Sequence, residues 1–240
     1  MPKREVAAAT RADPAATTPI ASSPQATPAP PATLHVTPWA LAATKTLHRI
    51  HQDSYKAAEF NPGIKGNARF SPIRNAKGDP IPTIYAAVTF DAAAMESVFH
   101  DVPHAPGFKQ FDKRKLEGQV HSTVTVARDL KLADLGSVAL RKLGVPRKQL
   151  IDTEKDQYPA TRRWAEAIHA QHPDIQGLSW ISRQDDGARA VMLFGDRIPI
   201  GTLRALAPST SLLADDKSYG QLLDLAERVG VMIAKGRDTP

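Results

Sequence analysis

Ile81-Pro82-Thr83-Ile84-Tyr85-Ala86-Ala87-Val88, followed by Thr89-Phe90-Asp91-Ala92-Ala93-Ala94-Met95-Glu96-Ser97-Val98-Phe99-His100, is the stretch on which the reading of this chain turns. The first eight residues are rich in Ile, Thr, Tyr and Val, types that fit a pleated, half-buried surface, and they predict a strand. A helix over residues 92–100 follows, with Asp91 placed to cap its first free backbone N–H groups. On that helix Ala92, Ala93, Glu96 and Phe99 share one face. A lone glutamate is most often exposed or salt-bridged. One on the face that carries Phe99, just after a strand tyrosine, is a candidate for chemistry.

Upstream, residues 61–80 are punctuated by Gly63, Gly66, Pro72, Gly78 and Pro80. Such punctuation predicts a long irregular loop, and long loops in compact domains often carry function. Arg69 follows the Gly66-Asn67 turn in this loop and precedes Phe70. Residues 39–51, with Trp39, Leu41, Leu47 and Ile50, predict a short helix leading into a strand. Residues 1–38 are dominated by Ala, Pro, Thr and Ser. Proline recurs there too often for a helix or a central strand, and few large apolar groups offset the ordering entropy. A disordered tail over 1–38 is the expectation, ahead of one domain over 39–240.

Downstream, residues 120–127 alternate β-branched and polar types and predict a strand. A short helix over 135–143 is stopped by Gly144 and Pro146. Residues 161–171 predict a helix with Trp164, Ala165 and Ile168 on one face. Residues 178–182 and 190–194 read as strands joined across Asp185-Asp186-Gly187. Residues 219–234 read as an amphipathic helix burying Leu222, Leu223, Ala226, Val229 and Met232. The fold class is therefore mixed α/β, one domain after a flexible arm.

Composition removes several function classes. The chain has 240 residues, 42% of them apolar, enough for one sizeable core. It has no cysteine, so disulfides and thiol chemistry are excluded. No stretch is long and apolar enough to span a bilayer, and no signal-peptide segment follows the N-terminus. A cytoplasmic protein without a membrane partner is the expectation. The net charge of +6 invites a nucleic-acid partner, but the Lys and Arg residues are scattered among acids. The clusters Lys113-Arg114-Lys115, Arg141-Lys142 and Arg147-Lys148 read as solvated helix ends and loops. No direct nucleic-acid partner is expected, and the surplus charge instead favours an anionic substrate or an acidic protein. The histidines show no metal-type spacing, and there is neither a Walker loop nor a GxGxxG motif. No metal site is expected.

What remains is a dispersed polar set. Arg49 lies within Leu47-His48-Arg49-Ile50, Arg69 within the glycine-containing loop, Tyr85 in the strand, Glu96 on the helix, and Ser182 at a strand end before Arg183. Arginine presents a planar fork of donors that matches phosphate oxygens, and when buried it needs a ligand anion or an internal carboxylate as partner. Tyr85 is a core or rim aromatic, or else it stacks on a substrate ring. A carboxylate such as Glu96 stabilises the cationic character of a sugar bond as it breaks. Ser182 lacks the Gly-x-Ser-x-Gly frame of an acyl-transfer nucleophile, so it either bonds within the turn or holds substrate.

The order and contexts of this set resemble the RES-domain family. The resemblance rests on Leu47-His48-Arg49-Ile50, Gly66-x-x-Arg69-Phe70, Ile84-Tyr85-Ala86 and Glu96. It is supported by Thr161-x-x-Trp164-Ala165, Gly177-Leu178-x-Trp180-x-Ser182-Arg183 and Val191-x-Leu193-Phe194. It implies a split mixed sheet with flanking helices, similar to ADP-ribosyltransferase toxins, with NAD in the cleft. It implies Arg49, Tyr85, Glu96 and Ser182 as catalytic residues, and Arg69, Phe70 and Arg183 as substrate-binding ones. The activity implied is NAD phosphorolysis or hydrolysis with release of nicotinamide, without a bound cofactor and with inorganic phosphate as the co-substrate of the first. The biological role implied is that of the toxin of a bacterial toxin–antitoxin pair, with an Xre-like antitoxin as partner. Where many members have an aromatic after the first arginine, this chain has Ile50, which speaks against a stacking role there and leaves the arginine's role as implied. An ADP-ribosyltransferase acting on a protein and a non-catalytic binding module of the same fold remain as alternatives. A homo-oligomer is left open.

Overall fold

The computed structural model describes residues 26–103, 105–182 and 185–235. Its strands are β1 (Pro38–Leu41), β2 (Thr46–Gln52), β3 (Ile73–Arg74), β4 (Pro80–Ile81), β5 (Thr83–Ala87), β6 (Lys109–Asp112), β7 (Gln119–Val126), β8 (Leu130–Asp134), β9 (Gly177–Ile181), β10 (Arg189–Phe194), β11 (Leu203–Ala205), β12 (Thr210–Ser211) and β13 (Val231–Ala234). Its α-helices are α1 (Phe90–Ser97), α2 (Ser137–Leu143), α3 (Arg147–Leu150), α4 (Tyr158–Gln171) and α5 (Asp216–Arg228).

Among the described residues, nine strands form one sheet in the order β1-β8-β9-β10-β5-β2-β7-β11, with β12 also on β7. Strands β8 and β9 run parallel and their neighbours antiparallel, so the sheet is mixed. It is also split. Between β5 and β2 the register holds at one pair, His48 with Ala87. On either side the ladders are complete, from Thr46–Thr125 to Gln52–Gln119 in β2–β7 and from Ala190–Ala87 to Phe194–Thr83 in β10–β5.

The two faces of the sheet are buried against different partners. Leu140, Leu143, Leu150, Trp164 and Ile168 pack with Leu178, Trp180, Met192 and Phe194, which places α2, α3 and α4 on one face. Leu41, Leu47, Ile84, Val124, Val191 and Leu193 form the core of the other. Helix α1 brings Ala92 and Ala93 against Ala87, with Ile50 beside them. These small side chains let the helix settle close to the split, and that sets the height at which Glu96 stands. Phe90 and Phe99 of the same segment pack with Leu222 and Leu225 of α5.

The strand-to-helix order over residues 81–100 stands, with changed bounds and a changed cap: Ile81 belongs to β4, the strand on the main sheet is Thr83–Ala87, and the helix runs Phe90–Ser97 and stops short of His100. Thr89, not Asp91, is the N-cap, its hydroxyl accepting the Ala92 N–H at 3.1 Å. Asp91 lies in the first turn, where its charge suits the positive end of the helix, and it pairs with Arg228. Residues 39–51 are not helical. They form β1, a turn with Thr44 at φ 65°, and β2. Edge pairing of β1 with β8 outweighs the helix propensity of the alanines there. The C-terminal helix ends at Arg228 and not at 234. Gly230 takes φ 66°, and Val231–Ala234 becomes a strand parallel to β6. Leu223, on the solvent side of α5, and Met232, in the new strand, are exposed, at 41% and 50%.

The expected tail needs the largest correction. Residues 26–38 are packed on the domain, while residues 1–25 lie outside the described residues. The Thr27 hydroxyl donates to the Gln149 carbonyl, and the Thr27 N–H to Gln157 Oε1. Trp164 Nε1–H donates to the Pro28 carbonyl at 2.7 Å, and the Leu34 N–H to Gln171 Oε1 at 2.8 Å. Leu34 is 3% exposed, within the core that holds Phe70 and Trp164. No helix among the described residues is long and apolar enough to cross a membrane.

Candidate active site

A cavity of about 320 Å³ opens where the sheet splits. Strand β2 contributes His48, Arg49 and Ile50 to its wall, and β5 contributes Tyr85, Ala86 and Ala87. Glu96 and Ser97 of α1, Asn67–Arg69 of the irregular loop and Trp180 of β9 extend that wall. His100, Asp101, Lys155 and Tyr158 line the cavity as well. Four of the residues singled out in the sequence, Arg49, Arg69, Tyr85 and Glu96, thus meet around one space.

Arg69 and Glu96 face each other. Nη1 of Arg69 lies 4.0 Å from Oε2 of Glu96, with side-chain exposures of 4% and 16%. At that separation the charges attract but do not hydrogen-bond. Nε and Nη2 of Arg69 and Oε1 of Glu96 are buried and make no hydrogen bond, and neither does Nε1 of Trp180. Buried polar atoms are almost always paired, because leaving one unpaired costs on the order of 1–3 kcal/mol. Several such atoms on one cavity wall form a ready set of donors and acceptors for a polar ligand. The Tyr158 ring lies beneath the Arg69 guanidinium, 5.8 Å from its carbon, and helps hold it in place.

The loop that carries Arg69 is fixed from behind. Tyr85 Oη accepts the Phe70 N–H at 3.2 Å, and burial pushes the phenol up to about 12, so it stays protonated. The Arg69 carbonyl accepts the Thr161 hydroxyl of α4. At the start of the loop, Gly63 has φ 77°, and a Cβ there would sit 2.6 Å from the Ile81 carbonyl oxygen. Phe70 itself is fully buried, edge-on to Trp180 at 5.3 Å, and is not among the described residues that line the cavity. Its expected contact with substrate is replaced by a place in the core.

Arg49 holds a second loop. Its Nη1 donates to the carbonyls of Lys56, Ala57 and Glu59, each at 3.0 Å. Burial lowers this guanidinium to about 10, which still leaves it charged at neutral pH. Strand alternation sets Arg49 with Leu47 on the face opposite His48 and Ile50. The side chain therefore works first as a clamp on residues 56–59. Arg49→Lys is expected to cost on the order of 2 kcal/mol in urea unfolding, since charge-assisted hydrogen bonds are lost. An unchanged urea midpoint would show that the clamp carries no stability.

Ser182 is fully buried at the end of β9, and its hydroxyl accepts the Asp185 N–H at 3.1 Å. It closes the β9–β10 turn and is not among the described residues on the cavity wall. Arg183 lies outside the described residues.

His48 and His121 stack with their planes 3° apart and their centroids 5.2 Å apart, and Nδ1 of the first is 3.0 Å from Nε2 of the second. Burial lowers both, His121 to about 4, with the His48 charge as the next cause. The unfolded chain binds protons below the ordinary histidine value of 6.5, whereas folded His121 resists them down to about 4. The pair's contribution to stability is therefore complete above that ordinary value and is lost as pH falls through this window. Urea midpoints measured from about pH 7 to about pH 5 should fall more steeply for the parent than for His121→Gln. Parallel curves would remove the pair from the account.

The residues that sequence reasoning missed are His100, Asp101, Lys155 and Tyr158. Tyr158 Oη is 3.2 Å from His100 Nε2, His100 Nδ1 is 2.8 Å from Asp101 Oδ1, and Lys155 Nζ donates to Asp101 Oδ2 at 2.7 Å. Lys155 foremost, and then His100, lower the Asp101 carboxyl. The adjacency of His100 and Asp101 at the end of a helix is the one signal the sequence offered. Among the described residues no group of three or more His, Asp or Glu is placed to hold a metal ion.

The wall thus offers a buried cation for ligand oxygens, a carboxylate set against it, and the aromatic side chains Tyr85, Tyr158 and Trp180. The profile of the protein family described as RES domain matches residues 46–215, from β2 to the residue that caps α5. No curated protein matches the chain.

Proposed function

The chain belongs to the RES-domain family, and from that premise we propose that it is an enzyme that breaks the nicotinamide–ribose bond of NAD. The observation that carries this reading is the pair of buried Arg69 and half-buried Glu96, with its unused hydrogen-bonding atoms, among the residues of the cavity wall. Arg69 offers two free nitrogens to pyrophosphate or ribose oxygens. Glu96 offers a carboxylate oxygen to a ribose hydroxyl and to the positive charge that grows on the sugar as nicotinamide departs. Tyr85 and Trp180 supply aromatic surface for a flat ring.

On this reading the chain is the toxin of a bacterial toxin–antitoxin pair acting on the cytoplasmic NAD pool. An Xre-like antitoxin that covers the cavity is its partner, and the net charge of +6 suits an acidic face on that partner. Expression of the chain alone is expected to lower cellular NAD and arrest growth. Arrest at unchanged NAD would reject the reading. Incubation with NAD and no protein acceptor separates it from a protein-modifying transferase, which would release little nicotinamide.

A further inference from the structure

Tyr158, His100, Asp101 and Lys155 form a continuous hydrogen-bonded line along the cavity wall, and the proposed cleavage does not use it. Lys155 occupies one oxygen of Asp101 and His100 Nδ1 the other. With Nδ1–H donating to a carboxylate, neutral His100 carries its lone pair on Nε2. Nε2 faces Tyr158 Oη at 3.2 Å, so the phenol donates to it. Tyr158 also lies under Arg69, whose Nη1 is 4.0 Å from Glu96. One end of the line is therefore beside the pair that holds the ribose. The other end, at Asp101 and Lys155, is exposed.

We propose that Tyr158 is a catalytic residue that takes the proton of an attacking water and passes its own to His100, which makes the chain an NAD hydrolase. This inference rests on the proposed cleavage of NAD. As the water oxygen bonds to the ribose anomeric carbon, the pair of electrons in the carbon–nitrogen bond leaves with nicotinamide, which becomes neutral. The water proton moves to Tyr158 Oη and the phenol proton to His100 Nε2. The resulting imidazolium is held against Asp101 and gives its proton to solvent. The products are nicotinamide, ADP-ribose and one proton. His100 and Asp101 act through Tyr158 and are positioning residues. Phosphate already carries an unprotonated oxygen at neutral pH and gains nothing from such a line, whereas water must lose a proton. The presence of the line is therefore what favours water as the acceptor.

The test is turnover of NAD by the full chain, with and without inorganic phosphate, the products being identified by mass. Tyr158→Phe and His100→Gln are measured beside the parent. ADP-ribose is expected as the main product in both conditions. Both variants should lose on the order of a hundredfold in kcat, as for removal of a general base, with KM within about twofold. The parent should show a solvent deuterium isotope effect on kcat that Tyr158→Phe lacks. Thermal unfolding of each variant separates a folded, slow enzyme from an unfolded one, and the isotope effect on the parent needs no variant. Phosphorylated ADP-ribose as the main product, parental kcat in either folded variant, or no isotope effect in the parent would overturn the relay while leaving NAD cleavage intact. Absence of nicotinamide release by the parent overturns NAD cleavage itself, and the relay with it.

Discussion

Glu96→Gln is expected to cut the turnover of NAD by about a hundredfold or more while leaving the fold unchanged. The side chain is 16% exposed, one of its oxygens is buried without a partner, and the other lies 4.0 Å from Arg69. An amide fills the same volume, so the packing of Ala93 and Phe99 on the same helix face is undisturbed. What it removes is a negative charge in a place with little water, where charge acts more strongly than in solution. The loss should fall on kcat, because positive charge appears on the sugar only as the bond breaks. Initial rates of nicotinamide release at saturating NAD check this, and a rate near that of the parent would make Glu96 a partner of Arg69 and nothing more. Arg69→Gln should behave differently. It removes the donors offered to ligand oxygens, so KM should rise and excess NAD should recover part of the rate.

Removal of residues 1–37 is expected to destabilise the domain by on the order of 3–6 kcal/mol, a large share of what a domain of this kind possesses. The segment contributes Leu34 to the main core and takes up the indole N–H of Trp164, both of which would change surroundings. It also holds Gln157 through the Thr27 N–H, next to Tyr158 on the cavity wall. A chain that starts at residue 26 retains all these contacts. The two truncations, compared by urea unfolding and by NAD turnover, should therefore part company. Equal midpoints would mean that the arm lies on the domain without supporting it.

This arm shows where sequence reasoning stops. Its composition, poor in large apolar groups, argues correctly that it builds no core of its own. Its order comes from side chains more than a hundred residues away, Gln149, Gln157, Trp164 and Gln171, and no local pattern reports those partners. The strand–helix unit over residues 81–100 was legible because its periodicity and its packing agree. Residues 231–234 were misread because a short apolar run after a helix suits either element, and pairing with β6 decided between them. Arg69 and Glu96 stood out as charges in apolar surroundings, and the structure places them face to face. Arg49 stood out for the same reason, but its Nη1 is committed to three carbonyls. His100, Asp101, Lys155 and Tyr158 are ordinary one by one, and only the fold makes a line of them.

The seam between β5 and β2 marks where the cavity opens. The half-sheet that carries Tyr85 and the one that carries His48 and Arg49 are each knitted by a full ladder, yet they are joined at one register position. Fewer paired positions join the two halves across that seam than join β2 to β7 or β5 to β10. The cavity thus lies at the most sparsely paired junction of the sheet.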